Sequence, residues 1–222
     1  MEAVIKVGGS LAEDASALKV LCMELGSLAR CHRLLLVPGG GKFADTVREL
    51  DREFRLPASA SHMMAILAMD QFGLLLQSLT PNSKAVTGLN AAERLSQAEK
   101  LPILLPSRLM TRRNPLEHSW DVTSDTIAAY IAGLLNTGKL ILVKDVDGVF
   151  TEDPKVNKDA RLIETLRVEG LLSLDKRTCL DKHLPMFLQG KLLECYVVNG
   201  KFPERLGKIL RGERVVGTRI FI

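Results

Sequence analysis

Cysteine is scarce in this sequence, and the spacing of the four residues excludes two kinds of site. Cys22, Cys31, Cys179 and Cys195 show no CxxC spacing and have no histidine pair nearby. A structural zinc site usually needs closely spaced ligands, and a disulfide framework needs a dense cysteine pattern. The sequence therefore predicts reduced thiols and neither of these two sites.

Long apolar runs and blocks of like charge are also missing. No segment approaches the roughly twenty apolar residues of a membrane-spanning helix. The amino terminus carries Lys6 after only a few apolar residues, and it has neither the long apolar region nor the small-residue cleavage site of a signal peptide. The 30 basic and 26 acidic residues are spread along the chain, with a net charge of +4. These features predict a cytoplasmic protein that binds no membrane and no nucleic acid.

The sequence does contain an alternation of apolar, strand-like runs and helix-like segments. A chain of 222 residues, 46% of them hydrophobic, can bury the core of one domain. Because strands that alternate with helices usually form a parallel sheet, we expect a single α/β domain with a mainly parallel central sheet. The predicted strands are Ala3–Val7, Leu34–Val37, Ile103–Leu105, Leu140–Val143, Cys195–Val198 and Val215–Ile222.

Helical periodicity predicts four helices, one of which is unusually apolar. In Ser59–Leu79, apolar residues lie nearly all round the helix, so it is either central to the core or shared with a second subunit. A homo-oligomer, either a dimer or a multiple of dimers, is the expected assembly if a second subunit shares it. Residues 106–118 and 153–161 are loop-like and are candidate active-site lids. The predicted helices are Ala15–Arg30, Phe43–Leu50, Ser59–Leu79 and Thr126–Leu135.

Two glycine-rich loops follow two of the predicted strands. Lys6-Val7-Gly8-Gly9-Ser10 ends the first strand, and Pro38-Gly39-Gly40-Gly41 ends the second. Glycine lacks Cβ, so backbone N–H groups can approach an anion closely, and a helix that begins after the loop adds the positive end of its dipole. The pair predicts a protein that holds two phosphorylated groups face to face. Lys6 could neutralise a transferred phosphoryl group, although a strand-end lysine can also be simply solvated.

A third candidate segment, Trp120–Thr126, precedes a predicted helix. Ser124 or Asp125 would form the N-cap of that helix, but two aspartates and two hydroxyl groups exceed what one helix start requires. An aspartate here could instead hold a lysine in place, or bind magnesium directly or through water. Trp120 could cover a bound ring or an ammonium group, or it could pack in the core.

A fourth segment, Lys144–Pro154, follows the predicted strand Leu140–Val143 and combines carboxylates with a turn glycine. Ligands of open α/β sheets bind at the carboxyl ends of strands, so this segment could seat ribose, adenine or a metal. Because Asp-Gly is also a common turn pair, a solvated turn is the alternative.

The order and spacing of these motifs resemble the amino acid kinase superfamily. The resemblance rests on the two glycine loops, the helix start at Asp125, the run Asp145–Pro154 and a closing Gly217-Thr218-Arg219-Ile220, and it covers nearly the whole chain. It implies a three-layer αβα fold and a kinase that uses ATP and Mg²⁺. It also implies one domain over residues 1–222, with the acceptor bound by about residues 1–135 and the nucleotide by about residues 136–222.

The same resemblance implies roles for single residues. Lys6 would neutralise the transferring phosphoryl group, Asp125 would organise a catalytic lysine or the metal, and Lys144 or Lys182 would be the second catalytic lysine. The residues expected to bind ATP are Gly8, Gly9, Ser10, Lys144, Asp145, Asp147, Gly148, Phe150, Asp153 and Pro154. The residues expected to bind the acceptor are Gly39, Gly40, Gly41, Trp120, Asp121 and Ser124.

Two segments look like one branch of the superfamily. Ser119–Asp125 and Ala68–Leu74 are similar to kinases that phosphorylate aminomethylfuran methyl phosphate for methanofuran-type cofactors. The phosphate of this small acceptor would suit Gly39–Gly41, and its ammonium group would need a carboxylate, Asp121 or Asp70. One alternative is a uridylate kinase, because the carboxyl-terminal half is similar to those enzymes. Another is a non-catalytic nucleotide-binding or storage protein with the same fold.

Overall fold

A central sheet of eight strands organises the chain in the computed structural model, which describes residues 1–113, 115–172, 178–190 and 192–221. The strands are β1 (Ala3–Val7), β2 (Leu34–Pro38), β3 (Ser83–Val86), β4 (Leu101–Leu104), β5 (Lys139–Lys144), β6 (Thr165–Arg167), β7 (Glu194–Asn199) and β8 (Thr218–Phe221). Their order across the sheet is β3-β4-β2-β1-β5-β7-β8-β6. β7 and β8 pair antiparallel, and the other neighbouring strands pair in parallel. The predicted α/β fold with a mainly parallel sheet is confirmed.

Nine helices formed by the described residues pack on both faces of this sheet. They are α1 (Ala15–Leu28), α2 (Gly41–Phe54), α3 (Ala58–Leu79), α4 (Leu89–Gln97), α5 (Ser107–Arg112), α6 (Ser124–Leu134), α7 (Val168–Leu172), α8 (Leu184–Leu188) and α9 (Glu204–Leu210). Neighbouring residues of β1 belong to two separate hydrophobic clusters. Val4 packs in the cluster of Ile127 from α6, whereas Ile5 packs in the cluster of Leu21 from α1. The sheet therefore lies between two helical layers.

Strand alternation decides where two lysines of the sheet point, because successive side chains of a strand face opposite sides. Lys6 in β1 lies on the side of Val4. Lys144 ends β5 and lies on the side of Leu142, which belongs to the same hydrophobic cluster as Val4. β1 and β5 pair in parallel with Lys6 beside Leu142. Both lysines consequently face α6, which packs against these two strands.

The apolar face of α3 is divided between the core and the surface. Ile66 and Phe72 are buried, whereas Leu67, Leu74 and Leu75 on the other side of the same helix are exposed. Part of the apolar surface of this helix therefore remains exposed after it packs against the sheet. Among the helices that the structure describes, none is long and apolar enough to cross a membrane.

Several elements differ from the sequence prediction at the edges of the fold. The apolar pattern misses β3 and β6, because both strands are short and only partly buried at a sheet edge. The predicted loop 106–118 was wrong in part, since α5 begins at Ser107, and Asn114 in that stretch lies outside the described residues. The predicted strand Val215–Ile222 begins only at Thr218, and Ile222 lies outside the described residues.

Candidate active site

The two glycine loops meet at the carboxyl ends of β1 and β2. A Cβ atom built on Gly9 would lie 2.0 Å from the amide nitrogen of Gly41, and one built on Gly39 would lie 2.8 Å from the amide nitrogen of Gly9. Gly41 also has a φ of +56°, a conformation that side-chain-bearing residues rarely adopt. Glycine is required here because the two backbones touch. The two loops therefore lie against each other at this edge of the sheet.

Both loops run directly into helical backbone. The first loop continues into a short 3₁₀ turn at Gly9–Glu13. The second loop begins α2, whose N-cap is Gly40. The amide groups in the first turn of a helix have no partner within the helix, and they carry the positive end of its dipole. The start of α2 can therefore hold an anion such as a phosphate group.

Lys6, Asp125 and Lys144 form a buried ion cluster beside these loops. Lys6 Nζ lies 2.7 Å from Asp125 Oδ1, and Lys144 Nζ lies 2.5 Å from Asp125 Oδ2. All three residues are buried. The sequence predicts that Asp125 holds a lysine in place. In this geometry Asp125 could hold both lysines at once. The cluster carries two positive charges and one negative charge.

The cluster shifts the proton affinities of its members in different directions. Burial and the charge of Lys144 lower the pKa of Lys6, Asp125 opposes them, and the net result is a pKa of about 8. Burial alone would lower the pKa of Lys144, but Asp125 outweighs this and raises it. Burial alone would raise the pKa of Asp125, but Lys144 and Lys6 hold it well below its usual range. Lys6 is thus the member that loses its proton just above neutral pH.

Asp181, from a distant part of the sequence, fixes the start of α6. Thr123 is the N-cap of this helix, and its amide and hydroxyl groups donate to Asp181 Oδ2. The prediction that Ser124 or Asp125 caps the helix was wrong, because both lie in the first turn and another carboxylate already receives the free amides. Asp125 is thereby left to face the lysines.

Two cavities share part of the first glycine loop, and one of them is lined by members of the cluster. The first, here called the Phe150 cavity, has a volume of about 370 Å³ and is lined by both lysines and by the loop that follows β5. It contains the following residues that the sequence assigns to ATP: Gly8, Gly9, Ser10, Lys144, Asp145, Gly148, Phe150, Asp153 and Pro154. Asp147 instead binds Arg205 of α9 at 2.5 Å, and the Arg205 guanidinium lies 4.2 Å from the ring of Phe202. Asp147 therefore holds the loop to α9.

The second, here called the Trp120 cavity, has a volume of about 240 Å³ and shares Gly9 and Ser10 with the Phe150 cavity. Trp120 Nε1 donates to Asp51 at 2.6 Å, and Arg48 lies 4.8 Å from the Trp120 ring. Trp120 is thus tied to α2 at the cavity wall. Among the predicted acceptor-binding residues, those that line this cavity are Gly40, Gly41, Trp120 and Ser124.

The carboxylates predicted to meet an ammonium group lie elsewhere. Asp121 pairs with Lys182 at 3.0 Å beside a third cavity, which Trp120, Asp125 and Lys144 also line. Asp70 accepts hydrogen bonds from the amide and hydroxyl groups of Ser107 and so holds the start of α5. The carboxylates at the Trp120 cavity are Glu13 and Asp45.

The two candidates for the second catalytic lysine have different surroundings. The Lys182 side chain is 77% exposed, whereas the Lys144 side chain is 11% exposed and touches Asp125. Lys155 is a further cation that sequence reasoning missed. It lines the Phe150 cavity and pairs with Asp145 at 3.0 Å, and its position directly after the Asp153-Pro154 pair was the available signal.

The donor groups do not form a ready-made metal site. Both oxygens of Asp125 are occupied by lysines, so a Mg²⁺ ion bound there would have to displace a cation. Among the residues that the structure describes, no group of three or more histidine, cysteine, aspartate or glutamate side chains could hold a metal ion. Mg²⁺ commonly reaches such sites together with substrate phosphates and several waters, which suits this arrangement.

Comparison with known proteins agrees with this geometry. The model of the Amino acid kinase family matches residues 1–199. The chain is 35% identical over 219 residues to the (5-(aminomethyl)furan-3-yl)methyl phosphate kinase of Methanocaldococcus jannaschii, with 98% of this chain and 96% of that protein covered. It is 31% identical over 243 residues to a uridylate kinase of Thermofilum pendens, with 98% and 97% covered.

Solved structures show the same fold. The uridylate kinase of Archaeoglobus fulgidus matches with a TM-score of 0.79 and 24% identity, and both chains are covered completely. The isopentenyl phosphate kinase of T. acidophilum matches with a TM-score of 0.67 and 22% identity, again over 100% of both chains. With a family model that spans most of the sequence and a relative similar over nearly its full length, the chain belongs to the amino acid kinase family and is an ATP-dependent kinase.

Proposed function

We propose that this kinase transfers the γ-phosphoryl group of ATP directly to the phosphate of a small cationic acceptor, aminomethylfuran methyl phosphate. The observation that carries the proposal is that two cavities meet at the first glycine loop, and that the buried charged cluster lines one of them. The Phe150 cavity and the Trp120 cavity share Gly9 and Ser10, and both Lys6 and Lys144 line the Phe150 cavity. A donor phosphate in one cavity and an acceptor phosphate in the other would meet at this loop.

The reaction needs charge stabilisation more than it needs a base. The acceptor phosphate is already anionic, so one of its oxygens attacks the γ-phosphorus while the bond from that phosphorus to the β,γ-bridging oxygen breaks, and ADP leaves. Lys6 and Lys144 neutralise negative charge on the transferring group, and Asp125 keeps both ammonium groups in place. Mg²⁺, bound with the ATP phosphates, would supply additional charge neutralisation.

The Trp120 cavity suits the proposed acceptor. The amide groups at Gly40 and Gly41 would receive its phosphate, and Trp120 presents an apolar ring wall to the furan. For the ammonium group we propose Glu13 or Asp45, since both line this cavity. The relative that is 35% identical over the full length carries the name of a kinase for this acceptor, which supports the assignment.

The experiment that tests the function is ADP release from Mg·ATP with aminomethylfuran methyl phosphate and UMP supplied separately. We expect release with the furan and background release with UMP. Release with UMP alone would make the protein a uridylate kinase, and ATP binding without release in either case would contradict the proposed acceptor and favour a binding protein. Lys6→Ala is expected to lower kcat by roughly 10³-fold with the fold intact. Lys19→Met, on the exposed side of α1, is the control and should keep wild-type turnover.

We also propose that the exposed face of α3 pairs with a second copy of the chain. Leu67, Leu74 and Leu75 are 47%, 50% and 38% exposed on one helix, a patch that is costly to leave in water. Leu74→Glu should shift the sedimentation coefficient towards that of a monomer. Leu192→Glu, at a fully exposed leucine outside this patch, is the control. A monomeric wild-type protein at micromolar concentration would contradict the proposal.

A further inference from the structure

A single carboxylate, that of Asp181, receives the free backbone and side-chain donors at the start of α6. Asp181 Oδ2 accepts from the amide nitrogens of Thr123 and Thr126, at 3.0 and 2.9 Å, and from the Thr123 hydroxyl at 2.9 Å. Asp181 Oδ1 accepts from the Thr126 hydroxyl at 2.5 Å and from the amide of Leu184, in the first turn of α8, at 2.8 Å. One side chain therefore joins the beginnings of two helices.

This arrangement is more than an ordinary helix cap. Thr123 is a residue type that can cap a helix with its own hydroxyl group. In this structure, its hydroxyl instead donates to Asp181. Burial raises the pKa of Asp181, and the nearby charge of Asp125 raises it further, whereas the hydrogen bonds from Thr126 and Thr123 oppose both effects. It is thus electrostatically unfavourable to hold a second carboxylate close to Asp125. We therefore looked for a functional benefit of this position.

The benefit concerns Asp125, which lies in the same first turn of α6 that Asp181 holds. Asp125 is the second residue of α6, directly before Thr126, so its backbone position depends on how the first turn is held. Its two carboxylate oxygens each bind a lysine, at 2.7 and 2.5 Å. A small rotation or displacement of this turn would bring one lysine closer and leave the other unpaired.

On the basis of the phosphoryl transfer proposed above, we propose that Asp181 is a positioning residue: it fixes the first turn of α6 and thereby keeps Asp125 centred between Lys6 and Lys144. Asp181 itself touches neither reacting group in this role. It acts through Thr126, whose hydroxyl and amide groups both bind it.

The first test compares two aspartates that both hold a helix start. Asp181→Asn keeps the shape but removes the charge and one acceptor oxygen, and we expect kcat to fall by roughly 10- to 100-fold while KM for ATP changes by less than about threefold. Asp70→Asn makes the same chemical change at the start of α5 and is the matched control. A parallel loss of kcat in both variants, at equal melting temperatures, would overturn the positioning role.

A second pair of variants addresses the same link without changing a carboxylate. Thr126→Val is close in shape but lacks the hydroxyl group that binds Asp181, whereas Thr126→Ser retains it. We expect Thr126→Val to lose kcat like Asp181→Asn and Thr126→Ser to remain near wild type. This pair keeps the proposal testable if Asp181→Asn fails to fold. Equal kcat for the two threonine variants would overturn it.

A third readout does not depend on phosphoryl transfer. The ε-carbon NMR signal of Lys6, recorded against pH on the nucleotide-free chain, should titrate with a pKa of about 8 in the wild type. In Asp181→Asn this pKa should fall, because the carboxylate that raises it is held less closely, and in Asp70→Asn it should stay the same. An unchanged Lys6 pKa in Asp181→Asn would overturn the positioning role. Absence of ADP release from the wild type would instead refute the proposed function and leave this titration as the test.

Discussion

Replacing Lys144 with methionine is expected to move the alkaline limit of activity to higher pH. In the proposed reaction, Lys6 must carry a proton to neutralise phosphate charge, and burial and the charge of Lys144 lower its pKa to about 8. The kcat/KM of the wild type should therefore decline as the pH rises through about 8. Lys144→Met removes the charge of Lys144, so burial is the remaining cause that lowers the pKa of Lys6. Asp125 still raises this pKa.

The size of the shift follows from the geometry of the cluster. The two ammonium groups bind opposite oxygens of one carboxylate, at 2.7 and 2.5 Å. Two unit charges about 4 Å apart repel each other by about 4 kcal/mol at an effective dielectric constant of about 20. One pKa unit corresponds to about 1.4 kcal/mol, and some screening is expected, so the alkaline limit should rise by about one to two pH units.

The assay is kcat/KM for ATP, measured as ADP release from neutral to alkaline pH, because the pH dependence of kcat/KM reports the pKa values of the free enzyme. Lys144→Met should show a lower maximal kcat/KM, because one charge at the transferring group is lost, together with the upward shift of the alkaline limit. Lys19→Met, far from the cluster on an exposed helix face, should leave both unchanged. An alkaline limit that stays at the wild-type pH, or moves down, would refute the idea that Lys144 lowers the pKa of Lys6.

Three further predictions test single residues around the site. Lys182→Met should keep kcat within about threefold of wild type, because the exposed ammonium group of Lys182 pairs with a surface carboxylate. A loss of kcat as large as that of Lys144→Met would make Lys182 the second catalytic lysine. Gly9→Ala should raise the acceptor KM by roughly tenfold or more and lower the melting temperature, because the added Cβ would lie 2.0 Å from the opposite glycine loop; wild-type values of both would show that the loops do not need this contact. Trp120→Phe should raise the acceptor KM several-fold but not KM for ATP, since the hydrogen bond to Asp51 that fixes this side of the Trp120 cavity is lost. Equal changes of KM for both substrates would contradict this.

The centre of the fold was predictable because its strands are both buried and continuous. β1 and β5 appear in the sequence as apolar runs that end at a lysine or a glycine loop, and all of β1 is buried. β3 and β6 are the two edge strands of the sheet, where water can replace part of the apolar contact. Their sequences, Ser83–Val86 and Thr165–Arg167, therefore carry little of the pattern on which strand prediction depends.

The candidate site was predictable to the extent that its residues follow strand ends. Lys6 and Lys144 could be found because each ends a strand next to a glycine or an acidic loop. The residues that fix these groups in place were not visible in the same way. Asp181 binds Thr126 across 55 positions of sequence, and Arg205 binds Asp147 across 58. Such pairs obey no local spacing rule, so they emerge only once the fold brings them together.

The charge balance of the cluster also bears on what the site binds. Lys6 and Lys144 share one carboxylate, so the buried cluster has a net positive charge that is costly to keep away from water. Both lysines line the Phe150 cavity, and the start of α2 adds partial positive charge at the neighbouring Trp120 cavity. An anion that enters between them removes this cost, and a neutral ligand does not. The site is therefore better suited to two phosphates that meet at one point than to a single uncharged ligand, which is why phosphoryl transfer between two phosphates is the function that its electrostatics favour.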